Sequence, residues 1–422
     1  MVELARDTLP PHMACVGLKD GRTAQLVSYK VASEVVGKAV VLALLVVAAR
    51  TLSPANFGVL SVATTLGWMA AAASDFGLQL YLGRAITQAA DPASVLWPLF
   101  AIRIRAAAVA LFLIGVFAWA VAPPGTWTAS VLVAAAPLIT SVAEFINYAY
   151  RGLGRSELES GLSLAQRVGA LVLVYVGLML SPTLLTVGLA LTTSAVAALA
   201  ASLVIAQRVV NSSSQPSPPL SGRIWLQDVA PIGAGLVLSA LYFRVDVFLI
   251  EQWSGLEPVA HYSAVFRIVD AMRLLPAAVV TVVLPRLFGA RDPTFARRLA
   301  GGLTAFAVLV TLVTRPLAAW LVAMTYGPAY AGAAPILQIL LLSFPLLTLN
   351  YVLTHQLIGW NKPRAYALCC LAALVANLAL NAWLIPEAAA IGAAWATLGT
   401  EVVVTLFCVI RLASLQRSHT SR

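Results

Sequence analysis

Twelve stretches of about 20 largely apolar residues follow one another along this chain with only short breaks, each long enough to cross a hydrocarbon layer as a helix. They run 25–50, 57–83, 97–121, 127–150, 161–180, 183–206, 225–250, 259–285, 299–323, 332–358, 364–384 and 388–411. A membrane barrel needs strands of about ten residues with alternating polarity, whereas these stretches are twice that length and rich in Ala and Leu. A soluble fold is excluded by the same residues. With 60% hydrophobic residues, 10% charged residues and a mean hydropathy of +0.89, too few polar side chains remain to coat a water-facing surface. The expected fold is therefore an all-α integral membrane protein of about 12 transmembrane helices.

The formal charge of +10 raises nucleic acid as a partner, so the placement of the Lys and Arg residues decides the question. Seventeen of the 27 fall in alternate connections: Arg6, Lys19 and Arg22; Arg84; Arg151 and Arg155; Arg208 and Arg223; Arg286, Arg291, Arg297 and Arg298; Lys362 and Arg364; Arg411, Arg417 and Arg422. The opposite connections, such as 51–56, 122–126, 251–258, 324–331 and 385–387, carry none. This asymmetry is the positive-inside signature, so both termini are expected in the cytoplasm of a multi-pass protein, and the basic balance reads as topology rather than as a nucleic-acid surface. Residues 1–24 are polar and interrupted by Pro10 and Pro11, so no signal peptide is expected ahead of the first span.

The Ser- and Pro-rich break at 207–223 lies near the middle of the chain and reads as a cytoplasmic linker between six-helix bundles at 25–206 and 224–412, with a tail at 413–422. Tyr150–Arg155 (YRGLGR) and Leu357–Lys362 (LIGWNK) correspond at an offset of 207 residues, which suggests a pseudo-two-fold repeat of the bundles. Repeats of this kind are a transporter design with substrate bound where the repeats meet.

Catalytic and energy-coupling motifs are lacking. Gly37-Lys38 has Ala32 where a phosphate-binding loop needs glycine, and the four histidines show no metalloprotease spacing. Cys15, Cys369, Cys370 and Cys408 show no CxxC spacing and read as small core residues, so neither a metal site nor a cofactor is expected.

Ten cations remain inside or at the ends of the spans. Arg50, Arg103 and Arg105 lie near span ends, where snorkelling to headgroups accounts for them, and Lys30 and Arg167 are about two turns from the cytoplasmic side. Lys38, Arg244, Arg267, Arg273 and Arg315 are deeper. At a lipid-facing helix centre each costs about 2.5–3.5 kcal/mol, roughly 12–17 kcal/mol for the five, so they must meet water, anions or counter-ions. The intramembrane acids are Glu34, Asp75, Glu144, Asp246, Asp270 and Glu401, which can pair with these cations or exchange a coupling proton or Na⁺. Lys30, Glu34 and Lys38 share one helix face, and Asp270 lies three residues from both Arg267 and Arg273; each set leaves positive charge over. Arg244 and Asp246, two apart, point to nearly opposite sides, so Asp246 reads as an interhelical partner. The expected substrate site is a hydrated cavity between the halves in which Lys38, Arg244, Arg267, Arg273 and Arg315 present guanidinium and ammonium groups to an anion.

Several segments carry a family likeness: RTLSPANFGVLSVA at Arg50–Ala63, SDFGLQLYLGRAI at Ser74–Ile86, AYRGLGRSELES at Ala149–Ser160, YFRVDVFLIEQWSG at Tyr242–Gly255, VAHYSAVFRIVDAMRLLP at Val259–Pro276 and YGPAYAGAAPILQIL at Tyr326–Leu340. In this order they resemble the bacterial polysaccharide (O-antigen) flippases of the multidrug/oligosaccharidyl-lipid/polysaccharide superfamily. The resemblance implies two six-helix bundles that pass a polyprenyl-pyrophosphate-linked oligosaccharide from the cytoplasmic to the outer leaflet of the inner membrane, for O-antigen, lipopolysaccharide or exopolysaccharide synthesis. Membrane lipids and polysaccharide polymerases are the implied neighbours, and no covalent chemistry is implied. It carries over most directly onto Arg244 and Asp246 in FRVD and onto Arg267 and Asp270 in FRIVD. The span number is below that of lipid II flippases of the superfamily, and a multidrug exporter of organic cations would favour an acidic cavity. A membrane glycosyltransferase or glycan polymerase using the same lipid-linked sugar would need an extended outer catalytic loop, which the spacing of the spans does not provide.

Overall fold

The computed structural model describes residues 21–89, 91–210, 229–289, 293–360 and 363–420. Most of the expected N-terminal segment 1–24 and linker 207–223 lie outside the described residues, as do Cys15, Arg6, Lys19, Arg223, Arg291, Lys362 and Arg422. Described residues form helices and turns, with no strand among them. In chain order the helices are α1 Gly21–Thr51, α2 Pro54–Asp75, α3 Leu78–Gln88, α4 Pro92–Val121, α5 Trp127–Gly152, α6 Ser156–Leu180 and α7 Leu184–Val209. They continue as α8 Ala230–Ser254, α9 Leu256–Met272, α10 Leu274–Gly289, α11 Pro293–Thr314, α12 Ala318–Tyr326, a 3₁₀ turn Pro328–Ala333, α13 Ala334–Gly359 and α14 Pro363–Thr420.

Ten helical segments among the described residues are individually long and apolar enough to cross a membrane. The difference from twelve has two physical causes. The stretch expected as one span at 259–285 is divided at Arg273 into α9 and α10, 17 and 16 residues long. Pro276 lacks the N–H that would bond the Met272 carbonyl, which weakens the helix there. The 58-residue α14 is two spans joined at Ala389, whose φ of 49° and ψ of −129° reverse the chain just after Pro386. Cys369 faces Cys408 and Asn377 faces Thr400, so the two arms run antiparallel. Gly392 completes the turn, because a side chain there would strike the Leu384 carbonyl.

Two further expected spans are broken. The stretch 57–83 bends between α2 and α3, where Phe76 and Gly77 both take positive φ (41° and 82°). Asp75 stabilises that bend by accepting the N–H groups of Gly77 at 3.2 Å and Gln79 at 3.3 Å. The stretch 299–323 breaks at Arg315-Pro316-Leu317 between α11 and α12.

By internal contacts the described chain divides into two compact units, 1–44 with 66–233 and 45–65 with 234–422. In the first unit α5 is central, with 61% of its apolar window buried against 17% for α4 and for α6. Its core joins Leu82, Leu96, Leu99, Phe145, Ile146 and Tyr150. Gly67 lets α2 approach α5, since a Cβ there would overlap the Ala134 carbonyl. In the second unit α13 is central and packs on both arms of α14, with Leu357, Cys369, Val404 and Cys408 at the contact. Cys370 is buried as well. Residues 45–65 join this unit through Gly58, set against the Leu256 carbonyl, and through Phe57, whose ring meets that of Tyr330 edge-on at 5.9 Å. Side chains such as Trp119 and Leu180, 76% and 83% exposed, mark outward faces suited to lipid. The chain is a multi-pass membrane protein.

Candidate functional site

The second unit gathers three of the five deep cations around one acid. α8 carries Phe243 and Arg244, α9 carries Phe266, Arg267 and Asp270, and Arg273 stands at the α9–α10 break. Arg244 Nη2 donates to Asp270 Oδ2 at 2.8 Å, and Arg273 Nη1 lies 3.7 Å from Asp270 Oδ1. Arg267 makes no ion pair among the described residues, although it lies within the electrostatic reach of Arg244, Asp270 and Tyr326. Counting the carboxylates in ion-pair contact among the described residues, three guanidinium groups against Asp270 leave a formal charge of +2, while Glu401 of α14 acts on Arg273 through space.

Aromatic rings hold this charge in place. The Arg244 guanidinium sits 4.2 Å from the Phe266 ring centre and 5.5 Å from that of Phe243, and Arg273 sits 4.9 Å from the Phe243 ring. The two rings meet edge-on at 5.4 Å. Electron-rich ring faces partly offset the repulsion between neighbouring arginines without neutralising them, so the groups stay available to an anion. Arg244 is the most enclosed, 6% exposed; Asp270 and Arg273 are partly open. Sequence reasoning missed the rings, and a signal for them was present: both deep arginines of α8 and α9 directly follow phenylalanine, in Phe243-Arg244 and Phe266-Arg267.

The remaining site residues lie elsewhere. Asp246 turns away from Arg244, accepts the hydroxyl of Tyr262 and the N–H of Val247, and thereby ties α8 to α9. Tyr262 in turn reaches Thr397 Oγ1 at 3.0 Å on α14. Glu401 on the second arm of α14 accepts Asn350 Nδ2 from α13 at 2.7 Å. Arg315 is exposed at the α11–α12 break, and no ion pair reaches it among the described residues.

In the first unit, Lys38 is exposed on α1 and Glu34 lies 3.4 Å from Arg167 of α6, while the side chain of Lys30 lies outside the described residues. Glu144 on α5 lies within the field of Arg167 and of Glu34. Asp75 faces Arg103 at 3.7 Å.

Two cations expected to snorkel do not. Arg103 is fully buried, donating to Ser74 Oγ and Ser141 Oγ at 2.6 Å each, and so links α2, α4 and α5. It falls on the face of α4 that buries Leu96, Leu99, Ala107 and Ile114, a helical period that directs it inward, whereas Arg105 is exposed. Arg50 instead caps α12: its Nε donates to the Thr325 carbonyl at 2.8 Å and its Nη2 to the Met324 carbonyl. Those carbonyls have no helical partner of their own, which makes them good acceptors for a cation.

A family profile described as "Polysaccharide biosynthesis protein" matches residues 24–290. A search of curated proteins gives no significant match. Among solved structures, an inward-facing multidrug resistance MATE family transporter of the MOP superfamily superposes with a TM-score of 0.72 at 16% identity, over 90% of this chain and 96% of the other. The lipid II flippase MurJ in an inward closed conformation superposes with a TM-score of 0.70 at 12% identity, over 90% and 86%. A MOP superfamily transporter from Pyrococcus furiosus, described as having reverse polarity of its binding pocket, gives 0.64 at 14% identity over 93% and 96%. These likenesses establish the fold, two helical bundles of the kind seen in the matched structures.

Proposed function

Because the chain belongs to the polysaccharide biosynthesis protein family, we propose that it is a flippase carrying a polyprenyl-pyrophosphate-linked oligosaccharide from the cytoplasmic to the outer leaflet of a bacterial inner membrane, with both termini cytoplasmic. The observation that carries the proposal is the Arg244–Arg267–Arg273 cluster around the single carboxylate of Asp270. A pyrophosphate diester bears about two negative charges and presents planar pairs of oxygens, which guanidinium forks match in both charge and shape. The surplus of +2 is the complement of that headgroup and repels the organic cations of a multidrug exporter.

In the mechanism, the pyrophosphate displaces part of the Asp270 contact on Arg273 and meets Arg267 directly, while the polyprenyl tail stays in lipid. The site is then exposed to alternate sides of the membrane, as in other transporters built from repeats. No bond is made or broken, and the energy comes either from exchange of a proton or Na⁺ at one of the intramembrane acids or from the membrane potential acting on the anionic headgroup. Lys38 and Arg315 serve as outlying anion-attracting groups along the route. The MurJ likeness favours a lipid-linked glycan over a free sugar, and cell-surface polysaccharides of the O-antigen, lipopolysaccharide or exopolysaccharide type are the products to which a polymerase partner would contribute.

The test is a proteoliposome assay in which a labelled glycolipid is followed by its accessibility to a membrane-impermeant reagent. The wild-type protein is expected to equilibrate label between leaflets without changing its mass. Arg273→Glu is expected to abolish the exchange while the protein elutes as a folded species. Unimpaired exchange by that variant removes the cluster from the site, and a mass change in the product would indicate a transferase instead.

A further inference from the structure

Inside the second unit, beside the arginine cluster, the helices line a partly open cavity of about 160 Å³. This is room for about five water molecules at ~30 Å³ each. Its wall is polar. Glu401 supplies the one carboxylate of the lining, Arg273 the one guanidinium and His355 the one imidazole. Glu401 is 3% exposed, and its known contact is the Asn350 amide, with Arg273 acting on it through space. Arg273 therefore belongs to two sites at once: it lines the Glu401 cavity, and it holds Asp270 at 3.7 Å.

We propose that this cavity is a proton-binding site, with Glu401 as the acceptor and Arg273 as the group through which its protonation governs the pyrophosphate site. The inference rests on the flippase reading and names the ion and the carboxylate that reading leaves open. When Glu401 is ionised it competes with the substrate for Arg273. When the pyrophosphate draws Arg273 away, Glu401 loses its counter-charge and takes up one proton from solution. One proton is gained per headgroup bound, and it is released when the headgroup leaves and Arg273 returns.

The lining excludes simpler readings. The titratable and charged groups facing Glu401 are Arg273 from the α9–α10 junction, Tyr242 from α8, Tyr351 and His355 from α13, and Tyr366, Cys369 and Cys370 from the first arm of α14. Phenols and thiols ordinarily titrate near 10 and 8.5 and so keep their protons at and below neutral pH, which leaves the carboxyl of Glu401 and the imidazole of His355 as the lining groups whose charge can change there. His355 Nδ1 can only donate to the Tyr351 carbonyl at 2.7 Å, so its Nε2 is the atom free to accept and pass a proton.

The experiment measures binding of farnesyl pyrophosphate to the full-length protein in detergent, across pH 5.5 to 8.5, with proton exchange followed by an indicator dye in weak buffer. For the wild type we expect net proton uptake on binding and an affinity that falls with rising pH, by up to tenfold per pH unit, the limit for one linked proton. The probe's own phosphates can only release protons at a cationic site, so uptake reports the protein. Glu401→Gln, which resembles the protonated state, should take up no proton on binding and lose the fall of affinity with rising pH, leaving only the proton release and pH dependence of the probe's own phosphates. Wild-type binding without pH dependence or uptake overturns the proton site and leaves the flippase reading intact, whether or not the variant folds. No binding at any pH overturns both. An affinity that responds to replacing Na⁺ by K⁺ at constant ionic strength, instead of to pH, also overturns the proton assignment.

Discussion

Arg267 offers the sharpest test of the charge argument, because it is the member of the cluster with no ion pair among the described residues. Arg267→Gln leaves a polar, shorter side chain that can still hydrogen-bond, and lowers the formal charge of the cluster from +2 to +1 without orphaning a carboxylate. At an effective dielectric constant of about 20, a unit charge about 5 Å from a phosphate oxygen contributes about 3 kcal/mol. Arg267 is half-buried, and screening by water reduces this to about 1.5–2.5 kcal/mol, or a 10- to 70-fold weaker Kd. Folding should change by less than about 1 kcal/mol, since the lost packing is offset by relief of repulsion from Arg244. Arg244→Gln is the contrast. It breaks a 2.8 Å pair at a nearly enclosed position and should lower stability by about 3 kcal/mol. Isothermal titration with farnesyl pyrophosphate and thermal unfolding of the same detergent preparations separate the two effects. If Arg267→Gln binds within twofold of the wild type, the surplus charge does not serve anion binding and the reasoning is wrong.

Three further outcomes follow from the structure. Arg103→Ala should destabilise the protein by about 3–5 kcal/mol, whereas Arg105→Ala should stay within about 0.5 kcal/mol; thermal melts of both variants check the inward placement of Arg103. Gly67→Leu should lower stability by about 1–3 kcal/mol or more through collision with the Ala134 carbonyl, measured against Gly115→Leu, where a Cβ meets open space. Arg50→Ala should weaken the hold on the end of α12 by about 1 kcal/mol, read as faster amide exchange at Met324–Gly327.

The spans were legible because length and apolar composition alone decide what can cross a bilayer, and Lys and Arg alternate cleanly between the connections. Their internal breaks were half-written: Gly77, Pro276 and Pro316 mark each position, but an apolar window averages over them. Within a helix, spacing is informative. It places Asp270 and Arg273 together and directs Asp246 away from Arg244. It says nothing of partners on other helices, and the shorter bond of Asp270 runs to Arg244 across the α8–α9 contact. The same limit hid the pairing of Glu34 with Arg167 and the seat of Arg103 among serines, since distance from a span end was the only measure applied to that arginine.

The division of the chain into units does not follow its midpoint. The backbone passes from one unit to the other at 44/45, at 65/66 and at 233/234, and each crossing falls inside a helix, in α1, α2 and α8 respectively. Severing the backbone at 207–223 would therefore not yield two self-sufficient halves. A fragment beginning at 224 would lack the elbow of α1 and α2 that seats Gly58 on Leu256 and Arg50 on the end of α12, and would expose the surface they cover. Fragments made separately should recover a native state only when both are present, each supplying a piece that the other needs to finish its own interior.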